Sequence, residues 1–100
     1  MNKYKNNNDL IDAFFSGETD AFSGTFAYMS NTKIKGDQLI HFETPILERV
    51  GDKIIFNETK YSIQTDRLQK LIKEKLFGKD VIYVSGVLMD HKGSLSEFIK

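Results

Sequence analysis

His41 and His91 are the only imidazoles in the chain and cysteine is absent, so a metal site would need carboxylates such as Glu43 or Asp90 to complete it. None of these residues falls at a spacing that gathers ligands, and no metal is expected. His41 lies in an alternating stretch and His91 precedes a turn, positions that suit surface or capping groups. Asp90-His91-Lys92-Gly93-Ser94 sets a serine near a histidine, but a nucleophile and its base require a third group to orient them. A loop leading into an N-cap accounts for that segment. Gly78-Lys79-Asp80 has Lys73 where the leading glycine of a phosphate loop belongs, and no Ser or Thr follows Lys79. It reads as the end of a helix. Gly17 and Gly24 do not make a dinucleotide fingerprint, and the acid pairs Asp9 with Asp12 and Glu18 with Asp20 sit near helix ends and turns, where acids are common. The expectation is a protein that is not an enzyme and holds no cofactor.

Recognition through surface charge is what remains. Acidic and basic residues balance at 14 each, which argues against a general nucleic-acid or membrane binder. Their distribution is uneven, because residues 1 to 22 carry two basic and four acidic groups while residues 65 to 78 carry four basic and two acidic. Lys60, Tyr61, Arg67, Lys70 and Lys73 form a candidate basic corner in which lysines meet phosphates and one aromatic ring stacks. The competing reading is a solvated helix face, with the Tyr61 ring in the core and its hydroxyl at the boundary. Asp9, Asp12, Glu18 and Asp20 form a candidate acidic face suited to a basic partner.

One hundred residues make one domain, 1–100, with 1–7 expected to be flexible. Asn8 is a candidate cap for a helix over 9 to 16. Alternation from Phe22 to Met29 predicts a first strand, and Leu39 to Glu43 a second. Ile46 to Val50 and Lys53 to Asn57 flank Gly51-Asp52, which predicts a hairpin pairing Leu47 with Phe56 and Arg49 with Ile54. Lys60 to Ile63 reads as a further strand. Thr65 is placed as the cap of an amphipathic helix over 66 to 77 with Leu68, Leu71, Ile72 and Leu76 on its apolar stripe and Gly78 at its end. Val81 to Met89, apolar on both sides, predicts a central buried strand with Gly86 at a bulge. It is too short to span a bilayer, which needs ~20 residues. Ser94-Leu95-Ser96-Glu97 has the form of a capping box opening a short last helix. The expected fold is α+β: a small antiparallel sheet of four to five strands, a central amphipathic helix, and short N- and C-terminal helices.

Gly36-Asp37-Gln38-Leu39, Thr44-Pro45-Ile46, Lys53-Ile54, Phe56-Asn57, Lys60-Tyr61-Ser62, Thr65 and Gln69 together resemble a loose group of small uncharacterised proteins encoded by bacteriophages and plasmids. In that group a hairpin leads into Lys-Tyr-Ser and a helix start; here Gln64, Asp66 and Leu68 depart from the pattern. The resemblance covers roughly residues 36 to 72 and implies a mobile-element origin, with no active site attached. Read physically, Tyr61 anchors the corner, Ser62 and Thr65 satisfy free amides, and Gln69 reaches back across one turn. The functional expectation is an inhibitor or adaptor acting on a host or defence protein or nucleoprotein, in the manner of an anti-CRISPR. The alternative is a nucleic-acid-binding accessory protein using the basic corner. Without cysteine or a signal-peptide core, the bacterial host cytoplasm is the expected location, with no membrane association. Sequence leaves the oligomeric state open.

Overall fold

A computed structural model describes residues 1–100. The elements are β1 (Asn2–Tyr4), α1 (Asn7–Phe15), β2 (Asp20–Ser23), β3 (Thr32–Lys35), β4 (Gln38–His41), β5 (Thr44–Val50), β6 (Lys53–Asn57), α2 (Ile63–Glu74) and β7 (Val81–Val84), with 3-10 turns at Ala27–Met29 and Leu95–Phe98. The class is α+β, but the sheet has seven strands in the order β1 to β7 and is mixed, since β1 pairs with β2 and β6 with β7 in parallel. Four or five antiparallel strands were too few, because the three- and four-residue strands leave almost no periodic signal.

Each parallel pair requires a crossover, and the helices supply it. Because β1 and β6 run the same way and both connections step in the same direction across the sheet, a common handedness puts α1 and α2 on one face. The Lys75 Nζ to Asp12 Oδ1 bridge of 2.8 Å ties the two helices together. Under them lies a core of Leu10, Ile11 and Phe14 from α1, Leu68 and Ile72 from α2, and Leu76 just after it. The cross-strand row Ala21, Ile34, Leu39, Leu47, Phe56 forms the floor of that core. A register shift beside Leu39 and Ile40 inserts an extra β5 residue. Both Ile46 and Leu47 consequently enter the core, as a bulge permits.

The opposite face is half covered. Residues 85–100 cross β5, β6 and β7 there, and Ile55, Val84, Val87 and Leu95 make a second apolar cluster. Glu48, buried on this face, fastens the segment: it accepts from the Leu95 amide at 2.8 Å, Ser94 Oγ at 2.5 Å and Gln38 Nε2 at 2.8 Å. Its neighbour Arg49 turns to the helix side, where its guanidinium lies 4.1 Å from the Phe14 ring centre and donates to the Glu18 carbonyl.

The hairpin register is as expected, with Leu47 opposite Phe56 and Arg49 opposite Ile54, and Gly51 takes the positive φ of 62°. Several local expectations are corrected. Asn6 rather than Asn8 caps α1, its side chain accepting from the Asp9 amide, and Asn2–Tyr4 form β1. The alternation from Phe22 to Met29 is not one strand, because Gly24 at φ 106° turns the chain away and residues 27–29 coil. The second expected strand stops at His41, where Phe42 and Glu43 turn. Residues 60–62 are not a strand, and Ser62 rather than Thr65 caps α2, accepting from the Thr65 amide at 3.2 Å. β7 ends at Val84 and lies at the sheet edge, with Gly86 beyond its ladder. Its two apolar sides reflect cover by helices on one face and by residues 85–100 on the other. The last capped segment is a 3-10 turn, in which Ser94 caps the Ser96 amide while Glu97 leans toward His91 at 3.6 Å. No helix is long and apolar enough to cross a membrane.

Removing the Glu48 carboxylate leaves buried donors unpaired, so Glu48→Ala is expected to cost about 2–3 kcal/mol. Urea unfolding measures this loss, and hydrogen exchange should show the Leu95 amide losing its protection.

Candidate functional site

The two surfaces suggested by charge are largely occupied by internal contacts. Asp66 takes both Lys60, at 3.0 Å, and Lys70, at 3.2 Å, and these lysines hold its carboxyl below the usual range, Lys60 contributing most. Tyr61 is half-buried: its hydroxyl donates to the Val87 carbonyl at 2.6 Å and accepts from Asn57 Nδ2 at 3.0 Å. Gln69 Nε2 reaches back to the Asn57 and Thr59 carbonyls, both at 2.9 Å. Tyr61 and Ser62 act as the architectural reading expected, whereas Thr65 bonds the Ser62 hydroxyl rather than a free amide and Gln69 reaches beyond one turn, to the segment before the helix. Lys73 lines a small cleft with Lys60 and Lys70, whereas Arg67 lines a different one beside Leu68 and Leu71. The five residues of the corner therefore do not present one phosphate-facing surface.

The acidic residues are similarly engaged. Asp12 pairs with Lys75 across the helices. Glu18 accepts from Asn2 Nδ2, the Tyr4 hydroxyl and the Thr19 and Asp20 amides; these bonds, Asn2 foremost, hold its carboxyl below the usual range. Asp20 lies opposite Lys35 in the ladder, and Asp9 stands in the first turn of α1, complementing its dipole.

A more coherent feature lies at one end of the sheet. Strands β2, β4, β6 and β7 finish there and β3 and β5 begin there, so the β2–β3 connection, the β4–β5 turn, the start of α2 and the segment after β7 converge. These connections expose Phe26, Tyr28, Met29, Phe42, Ile63, Leu88 and Met89, from 46% exposed at Phe42 to 82% at Tyr28. Phe42, Ile63 and Met89 wall a pit of about 500 Å³ with His41 and Thr44 in its lining, and Met29 joins His41 in the neighbouring cleft. Phe42, Ile63, Met89 and Met29 thus gather around His41. Phe26 and Tyr28 stack on each other at 5.7 Å.

Two features set this end apart. Phe42 and Glu43 both adopt positive φ, 49° and 70°, the backbone of a tight primed turn that normally takes Asn-Gly. The turn holds the Phe42 ring at the rim, 4.4 Å from the His41 ring. His41 itself is buried, with Nδ1 2.9 Å from Thr32 Oγ1 and Nε2 without a partner. Burial pushes its pKa down, opposed by the Asn31 carbonyl. The sequence placed His41 on the surface because its strand alternates, but the helix-facing side of that strand lies under α2. Pro45 and Thr44 close the turn from β5; the exposed side chains at 26–29 and 88–89 escaped notice because each had been assigned to a strand.

No cluster of three His, Cys, Asp or Glu residues is arranged to hold a metal ion. Comparison with protein-family models, curated proteins and solved structures gives no match.

Two outcomes are expected. Replacing the turn by Asn-Gly (Phe42→Asn with Glu43→Gly) relieves two left-handed non-glycine residues and should raise stability by about 1–3 kcal/mol in urea unfolding. His41 binds a proton less readily folded than unfolded, so stability should fall as pH drops below about 6.5 and on through the lower folded value. Unfolding midpoints measured across that window should decline less steeply for His41→Gln.

Proposed function

We propose that this protein is a non-enzymatic binding module that engages a protein partner through the apolar end of its sheet. The observation that carries the reading is the convergence of seven large exposed apolar side chains on that end. Apolar clusters of this kind mark interaction sites on soluble proteins, and aromatic side chains dominate interface energetics. Strain at Phe42 and Glu43 is consistent with a turn kept for recognition at some expense of stability.

Within this reading the partner is a host or defence protein, and the module is an inhibitor or adaptor of a phage or other mobile element, of the anti-CRISPR kind, working in the bacterial cytoplasm. The support for that finer role is the resemblance over residues 36–72. Nucleic-acid binding through the 60–75 corner draws less support, since Lys60 and Lys70 share Asp66, Arg67 and Lys73 line different clefts, and Tyr61 turns inward.

The test is capture from nuclease-treated bacterial lysate, followed by affinity measurement with the purified partner. A triple variant, Tyr28→Ser with Ile63→Ser and Leu88→Ser, should stay folded because all three side chains are exposed, and should bind at least ~10-fold more weakly. A partner held equally by wild type and variant would remove this end from the interface.

A further inference from the structure

We propose that the helix-free face of β1 to β4, where Phe22 is buried between lysines, is a platform for single-stranded nucleic acid, with Lys3, Lys33, Lys35 and Lys92 meeting the phosphates. This surface is distinct from the apolar end and adjoins it at Phe42. Strand register builds it. Lys3, Phe22, Lys33 and Ile40 form one cross-strand row, and Asp20, Lys35 and Gln38 form the next. These rows face away from the helices, because the intervening Ala21, Ile34 and Leu39 enter the helix-covered core.

The segment 85–100 stops at the boundary of this surface. Gln38 Nε2 donates to the Gly93 carbonyl at 3.0 Å, and Lys92 consequently stands at the rim of a cleft of about 420 Å³ shared with Lys33, Lys35, Ile40 and Phe42. Lys3, Lys33 and Lys35 take part in none of the molecule's ion pairs. Their charge is available, whereas in the 60–75 corner Lys60 and Lys70 share Asp66 and only Arg67 and Lys73 stay unpaired. Lys33 and Lys35 lie ~7 Å apart along β3, and Lys3 lies ~10 Å from Lys33 across the sheet. Two carboxylates limit the attraction: Asp20 opposite Lys35, and Glu43 3.5 Å from Lys92. The surface suits about three phosphates.

Cations alone would suit any polyanion; the aromatic groups select among them. The Phe42 ring stands exposed at the cleft, and the stacked Phe26 and Tyr28 rings stand at the same end of the sheet. Unpaired bases stack on such rings while lysines follow the backbone, and the pairing of the two is characteristic of single-strand binding. An acidic peptide has no comparable use for the rings. A duplex has its bases stacked internally, and no helix projects from this face to enter a groove.

The test is fluorescence anisotropy of labelled oligothymidylate and oligouridylate with protein freed of nucleic acid, beginning at about 50 mM salt. Saturable binding is expected, with log affinity falling against log salt at a slope of about −2 to −3 for three to four phosphates on a single strand. Lys33→Glu with Lys35→Glu should weaken binding at least ~10-fold, each lost phosphate contact lowering the slope by about 0.7. Phe42→Ala should weaken binding with the slope unchanged. Arg67→Glu with Lys73→Glu, on the helix side, should leave affinity within about twofold. If the doubly reversed variant fails a thermal-unfolding check, Lys33→Gln with Lys35→Gln takes its place. Absence of saturable binding at the lowest salt overturns the proposal. So does loss in the Arg67 and Lys73 variant with retention in the Lys33 and Lys35 variant, and so does equal affinity for polyglutamate, which would make the face an acidic-peptide site.

Discussion

Glu48 and Arg49 are adjacent on β5, opposite in charge, and sent to opposite faces by the strand's period of two. Their positions govern the remaining architecture. Glu48 is buried on one side and satisfied by the Ser94 hydroxyl, the Leu95 amide and the Gln38 amide. On the other, Arg49 joins the Phe14 ring, the Glu18 carbonyl and Asp37, the last at 4.0 Å. A charged group inside a domain this small is tolerable only with partners in place. Each partner set belongs to an element remote in sequence, so the requirement to satisfy two charges fixes both outer layers upon the sheet. The carboxylate sets how far residues 85–100 extend across their face, and thereby which lysines stay uncovered.

Legibility followed the range of the signal. The hairpin around Gly51 is readable because it is specified within a few residues, and the Tyr61-to-Gln69 corner only in part, since Tyr61 and Gln69 donate to carbonyls 10 to 26 residues away. The apolar stripe of α2 is readable as well, although its cap was read three residues late, Thr65 being an equally good capping residue by type. The strands β1, β2 and β3 were invisible as a set: three or four residues are too few for periodicity, and their stability comes from neighbours that only the topology supplies. Val81 to Val84 misled for the opposite reason, because an edge strand covered on both faces has the composition of a central one.

The sites show the same division. Charge counts identified an acidic and a basic segment but could not see that Asp66 binds two of the lysines or that Glu18 caps its own loop. Two of the lysines left unpaired, Lys33 and Lys35, flank Ile34 in an in-and-out alternation that is present in the sequence. What it lacked was the register that brings Lys3 and Phe22 alongside. The apolar end was hidden too, since an exposed phenylalanine and a core phenylalanine are the same letter until the chain's turns are known.

Strand order in space equals strand order along the chain, so every ladder joins consecutive strands. Loop closure is then inexpensive, because no pairing waits for a distant segment to arrive, and sequence separation between paired residues stays low for a sheet of this width. The long-range bonds lie outside the ladders, among them Leu95 to Glu48, 47 residues apart, and Gln38 to Gly93, 55 apart. A chain emerging from the ribosome can therefore assemble the sheet and both helices progressively while the face of Ile55 stays bare until residues 85–100 appear. Docking of that segment closes a hydrophobic face that the shorter nascent chain leaves open.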